Sequence, residues 1–154
     1  MRKLVPLLVL PVLLVSLALG GAAGAKEQKV TIVLNEMSFS PAKVTLSAGV
    51  PAEFKLVNRG KVKHEFMVYA VPRAGLSGDA LEGWAKENSY FKGIEVAVEG
   101  AGLEVEGEDI MEIELAAGRS AEVKFTPRKT GRFEIGCHVE GHYEAGMKGT
   151  LTVK

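Results

Sequence analysis

Residues 132–147 read Arg132-Phe133-Glu134-Ile135-Gly136-Cys137-His138-Val139-Glu140-Gly141-His142-Tyr143-Glu144-Ala145-Gly146-Met147. The first part alternates polar and apolar side chains, the period of a half-buried strand. The second part holds the only cysteine of the chain, two of its three histidines and a methionine. A strand that ends in a thiol, and a loop that then offers imidazoles and a thioether, place a soft donor set at one end of a β-structure.

The same alternation recurs along the chain. Val30, Ile32 and Leu34 share one face, Val44 and Leu46 another, and Phe54 and Leu56 a third. A segment from His64 through Phe66 and Val68 is apolar on both faces. Met111, Ile113 and Leu115 alternate with Glu112 and Glu114, and Val123 and Phe125 with Glu122 and Lys124. The chain ends on Leu151 and Val153 set against threonines and a lysine. Turn signals at Ser47-Ala48-Gly49, Asn58-Arg59-Gly60, Ala116-Ala117-Gly118 and Thr126-Pro127 separate these runs. Short, regularly spaced strands of this kind predict an all-β, antiparallel β-sandwich. Residues 71–109 break the pattern. Asp79 is placed to cap a short helix with Leu81, Trp84 and Ala85 as its apolar stripe. Ile94, Val96 and Val98 suggest another strand, and the Gly-rich acidic stretch after it reads as loop. The region is expected to be an insertion lying over the sandwich.

Strand parity connects the scattered donors, because side chains alternate between faces. Cys137 shares the inward parity of Phe133 and Ile135, His64 that of Phe66 and Val68, and Met147 that of Leu151 and Val153. Three donors therefore extend the inward faces of three strands, and His142 sits in the loop between two of them. His138 has the opposite parity from Cys137 and is expected to point away, toward solvent or a surface hydrogen bond. A cysteine and two histidines with a weak methionine match a trigonal type 1 copper site. The set leaves no obvious open position for a substrate, which favours electron transfer over catalysis. Three histidines in the whole chain are too few for a multicopper oxidase, and a single cysteine cannot bridge two coppers.

The N-terminus adds a compartment. Met1-Arg2-Lys3 is basic, residues 4–19 are apolar apart from Ser16, and Ala23-Gly24-Ala25 fits an A-x-A cleavage site. Residues 1–25 read as a secretory signal peptide, leaving 26–154 as one domain. That predicts a periplasmic or extracellular protein, with membrane association only if the segment is retained. Without residues 1–25 the chain has 17 basic and 19 acidic residues, a net charge of −2, which is unlike a nucleic-acid binder. A lone thiol in an oxidising compartment is exposed to oxidation unless it is buried or held by a metal.

The residues Cys137-x4-His142-x4-Met147, the Gly141-His142-x3-Gly146-Met147-x-Gly149 pattern, His64 after Asn58-Arg59-Gly60, and Phe39-Ser40-Pro41 before a strand and Gly49 resemble the cupredoxin family of blue copper proteins, plastocyanin- and azurin-like. The resemblance covers most of residues 26–154 and is weakest over the insertion. It implies an eight-stranded Greek-key sandwich with one copper ion bound by His64, Cys137, His142 and axial Met147, cycling between Cu(I) and Cu(II). It implies electron exchange through the exposed edge of His142, with redox proteins of an extracytoplasmic electron-transfer chain as partners of a monomer. One position departs from the pattern. Several family members follow the first histidine with asparagine, and this chain has Glu65. A second reading is a copper carrier or copper-resistance protein without redox cycling, in which Glu65, Glu140 and Glu144 help to capture the ion.

Overall fold

The computed structural model describes residues 26–100 and 103–154. The expected signal peptide, 1–25, lies outside the described residues. The chain builds two packed β-sheets. One has six strands in the order β2-β1-β4-β9-β6-β7: Ser38–Ser40, Gln28–Asn35, Ala52–Asn58, Ser120–Phe125, Val96–Gly100 and Leu103–Gly107. The other has five strands in the order β3-β11-β10-β5-β8: Lys43–Leu46, Lys148–Val153, Gly131–Gly136, His64–Ala70 and Ile113–Leu115. Most ladders are antiparallel, as the alternation predicts. Two are parallel, β1 with β4 and β3 with β11. Those parallel pairs cannot be hairpins, so their connections must cross between the sheets.

The alternating residues face each other across the gap. Ile32, Leu34, Phe54, Leu56 and Val123 of the first sheet meet Phe66, Val68, Ile135, Leu151 and Val153 of the second in one buried cluster. Phe54 sits edge-on to Phe66 at 5.9 Å and to Phe125 at 5.1 Å between ring centroids. Such edge-to-face pairs add roughly 0.5–1.5 kcal/mol beyond area burial.

The insertion is built into the fold more deeply than its sequence suggests. The stretch read as loop after Val98 includes β7, which forms a hairpin with β6, and β6 in turn pairs with β9. Tyr90, Phe91 and Ile94 enter the main core. Between them and β5 runs the helix α1, Gly78–Glu87, with Leu81 and Ala85 buried. Its N-cap is Ser77, and Asp79 stands in the first turn, where a carboxylate favours the positive end of the helix dipole. The expected cap was thus two residues late. Lys86 pairs with Glu82 one turn away at 2.6 Å. Ala85 packs on Met67 and Tyr69 of β5, and Trp84 donates its indole N–H to the Ala70 carbonyl. This explains why β5 is apolar on both faces. One face meets the sandwich core and the other lies under α1.

Truncation of Phe54 to alanine removes a fully buried ring at the centre of the aromatic set. We expect a loss of about 3–5 kcal/mol, read as a lower urea midpoint of the metal-free protein at unchanged slope.

Candidate metal centre

Two continuing ladders bring the donors together. β10 lies between β5 and β11, with Gly136 opposite both Met67 and Lys148. The next residue, Cys137, donates its backbone N–H to the Met147 carbonyl at 3.2 Å. The loop from 138 to 146 closes on itself, with Met147 N donating to the His142 carbonyl and Ala145 N to that of Gly141. Gly141 and Gly146 adopt φ of +78° and +104°, a region that side-chain-bearing residues avoid. These two turns fold His142 back over Cys137.

Cys137 Sγ stands 3.4 Å from His142 Nδ1 and 4.0 Å from His64 Nδ1, and the two Nδ1 atoms are 3.2 Å apart. A point equidistant from the three lies about 2.1 Å from each, within the ordinary range of bonds from nitrogen and sulfur to a transition metal, about 2.0–2.3 Å. The donor set therefore fits a small soft or borderline ion without rearrangement. Cys137, His64 and Met147 are completely buried, and His142 alone of the four reaches the surface, at 7 % exposure. The arrangement keeps water from three sides and leaves one imidazole edge as the contact with the outside.

Burial sets the electrostatics. It pushes the Cys137 thiol pKa up, opposed by backbone N–H groups of Glu65 and Val139 that favour the thiolate. It pushes the His64 pKa down, helped by repulsion from His142. Both shifts favour the uncharged forms of Cys137 and His64. A thiolate here needs a cation among the donors.

Glu65 ties the ligand segments. Its backbone N–H donates to Cys137 Sγ at 3.4 Å, and its carboxylate accepts from the His138 N–H at 3.2 Å. The residue that departs from the family pattern thus makes a two-way link between the start of β5 and the segment after β10. His138 points away from the donors, as its parity predicts, yet it is half-buried. Its Nε2 lies 2.9 Å from the Tyr69 hydroxyl and its ring stacks on Tyr143. Tyr69 and Tyr143 both donate to Glu134 Oε1. This network was not evident in the sequence, because its members come from β5, β10 and the loop. Met67 and the exposed Met111 lie outside the donor set. A second grouping, Glu65, Glu112 and Glu114, is tied to Lys86 and Lys63 through ion pairs at Glu112 and Glu114.

The cupredoxin-like domain family matches residues 6–76, which contain His64 and stop before the Cys137–Met147 loop. The chain is 33 % identical over 143 residues to the copper-resistant cuproprotein CopI of Pseudomonas aeruginosa, covering 86 % of this chain and 79 % of that protein. It is 30 % identical over 135 residues to CopI of Rubrivivax gelatinosus, covering 88 % and 71 %. The chain belongs to the cupredoxin family. This cupredoxin also superposes on reduced auracyanin from Roseiflexus castenholzii, with a TM-score of 0.56 at 17 % identity, covering 82 % of this chain and 97 % of that one. That likeness concerns the fold.

Burial raises the Glu65 carboxyl above the ordinary carboxylate range, with repulsion from Glu112 adding to it. The folded chain then holds this proton more tightly than the unfolded chain. The resulting destabilisation is absent in acid and grows as pH rises through the carboxylate range. In E65Q the amide oxygen still accepts from His138 N–H, but no charge is buried. We expect the metal-free E65Q protein to melt above wild type at neutral pH and the two to converge below roughly pH 4. Thermal melts across this range decide it; a gap that does not change with pH would exclude burial of charge as its cause.

Proposed function

We propose that this cupredoxin binds one copper ion through His64, Cys137 and His142, with Met147 as the weak axial donor, and works as a one-electron carrier outside the cytoplasm. The observation that carries the reading is the convergence of Cys137 Sγ and two Nδ1 atoms at 3.2–4.0 Å inside an otherwise apolar core. Bound copper supplies exchange of a single electron between Cu(I) and Cu(II). The chain supplies the rest. The completely buried Cys137 and His64 exclude water, and Glu65 N–H helps to hold charge on Sγ. The loop hydrogen bonds fix the donors, so little needs to move when the charge of the site changes. A thiolate and a thioether suit Cu(I), and imidazoles suit both states. No open position for a substrate is evident in the donor set, which argues for a carrier and against an enzyme. His142 is the natural electron port, because it alone among the donors reaches the surface. The reading includes export by residues 1–25, action as a monomer, and extracytoplasmic redox proteins as partners.

The CopI relatives favour a second reading, in which the same donors sequester or pass on copper without redox turnover. The two differ in what the copper-loaded protein does. A carrier has an intense visible band in the Cu(II) form and reversible voltammetry. A protein that holds only Cu(I) and stays colourless would exclude the carrier reading and favour the second.

Replacing Cys137 by alanine tests the ligand assignment. We expect the visible band to vanish while far-UV circular dichroism is unchanged. A band that survives in C137A would overturn the assignment.

A further inference from the structure

Among the described residues, one buried side-chain nitrogen or oxygen lacks a hydrogen-bond partner: His64 Nε2. The ring is fully buried, and its Nδ1 faces Cys137 and His142. If Nδ1 is a lone-pair donor to a metal, the neutral ring must carry its proton on Nε2. That N–H is then a buried donor, and such groups seldom go unpaired.

Gly60 brings two side-chain oxygens into the neighbourhood of Nε2. The backbone of Gly60 lies against it, so closely that a Cβ at position 60 would stand 2.6 Å from Nε2. The same point is 3.0 Å from Glu36 Oε1 and 3.1 Å from Asn58 Oδ1. Asn58 is already committed. Its oxygen accepts from Gly60 N–H, and its amide donates to the carbonyls of Val62 and Leu115. Glu36 stands on the exposed turn between β1 and β2, where its side chain has room to rotate. Its Oε1 accepts from Lys61 N–H, which anchors the carboxylate over the 58–63 loop. The backbone bond from Lys61 keeps the Glu36 pKa low, and attraction to His64 acts in the same direction.

We infer that Glu36 is a positioning residue for the metal centre: its carboxylate accepts the His64 Nε2 proton and so fixes which nitrogen of that ligand faces the ion. A carboxylate behind a ligating imidazole orients the ring and raises its basicity. Gly60 is the space that lets the two groups approach. This inference rests on His64 being a ligand, as proposed above, but not on copper or on redox activity.

The test uses zinc-loaded and metal-free protein with nitrogen-15-labelled histidine. In wild type we expect His64 to be the Nε2-protonated tautomer, with a slowly exchanging Nε2 proton. In E36A that proton exchanges about tenfold faster or more, corresponding to the loss of roughly one hydrogen bond. Zinc affinity falls by about 10–100-fold, the usual effect of losing the partner of a ligating histidine. E36Q, which keeps an acceptor oxygen without its charge, lies between the two. In copper-loaded protein the visible band stays in place in E36A while the reduction potential rises, because a more basic imidazole favours Cu(II). If His64 proton exchange, tautomer and zinc affinity are the same in E36A as in wild type, Glu36 has no such role. A changed His64 in a protein that never becomes coloured with copper would retain this inference and overturn the carrier reading alone.

Discussion

The metal centre depends on the register of β10 between β5 and β11. Gly136 pairs with Met67 on one side and with Lys148 on the other. One further step along these ladders sets Cys137 opposite Phe66 and Met147. His64 lies two residues before Phe66 and so shares its face. The Cys137 N–H to Met147 carbonyl bond and the His138 N–H to Glu65 carboxylate bond extend the same register past the end of the strand. A slip of one residue in either ladder would turn Cys137 toward α1 and bring His138 inward. The hydrophobic alternation of Phe133 and Ile135 on β10, and of Leu151 and Val153 on β11, opposes such a slip, since the strand that slipped would turn its apolar pair outward. The core thus specifies the position of the donors, and the donors contribute little to specifying the core.

The same burial that fixes the donors makes them costly without an ion. Two imidazoles and a thiol stand within hydrogen-bonding distance inside an apolar cluster, and the shifts at Cys137 and His64 both favour neutral forms. The chain offsets part of that cost with the backbone N–H groups of Glu65 and Val139 aimed at Sγ. A carboxylate at this position is a different solution from an amide. It accepts from His138 N–H, but it also adds negative charge beside the thiolate. A bound cation has more charge to balance, which favours the higher oxidation state of a metal held there.

Much of this was legible from residue types and parity. Period-two alternation located the sandwich strands, and parity alone put His64, Cys137 and Met147 on inward faces while turning His138 away. The features that escaped are those made between distant turns. Glu36 and Gly60 come near His64 from separate turns, which the bond from Arg59 N–H to the Leu34 carbonyl draws together. No local pattern marks that. The hairpin β6–β7 was partly hidden because glycines and glutamates in 99–109 resemble loop composition, although Val96 and Val98 pointed to its first strand. Asp79 looked like a cap because Glu82 follows it by three residues, the spacing of a capping box. The helix begins at Gly78, which leaves the extended Ser77 as its N-cap.

The insertion bears on the site through β5. A strand with one face open to water would leave Met67 and Tyr69 exposed and admit solvent to the backbone beside His64 and Glu65. Here α1 covers Met67 and Tyr69, while Tyr90 N–H and Asn88 O bond to Val68 and Ala70 at the far end of the strand. Tyr69 then reaches outward under the helix to His138, whose ring is stacked by Tyr143 from the ligand loop. The segment directly bonded to Cys137 is therefore braced from both sides, by Glu65 through the backbone and by Tyr69 through the side chain. A ligand loop held this way resists the small displacements that a change in ligand charge would otherwise drive. That rigidity comes from the insertion and the Tyr69–Glu134–Tyr143 contacts, outside the donor set itself.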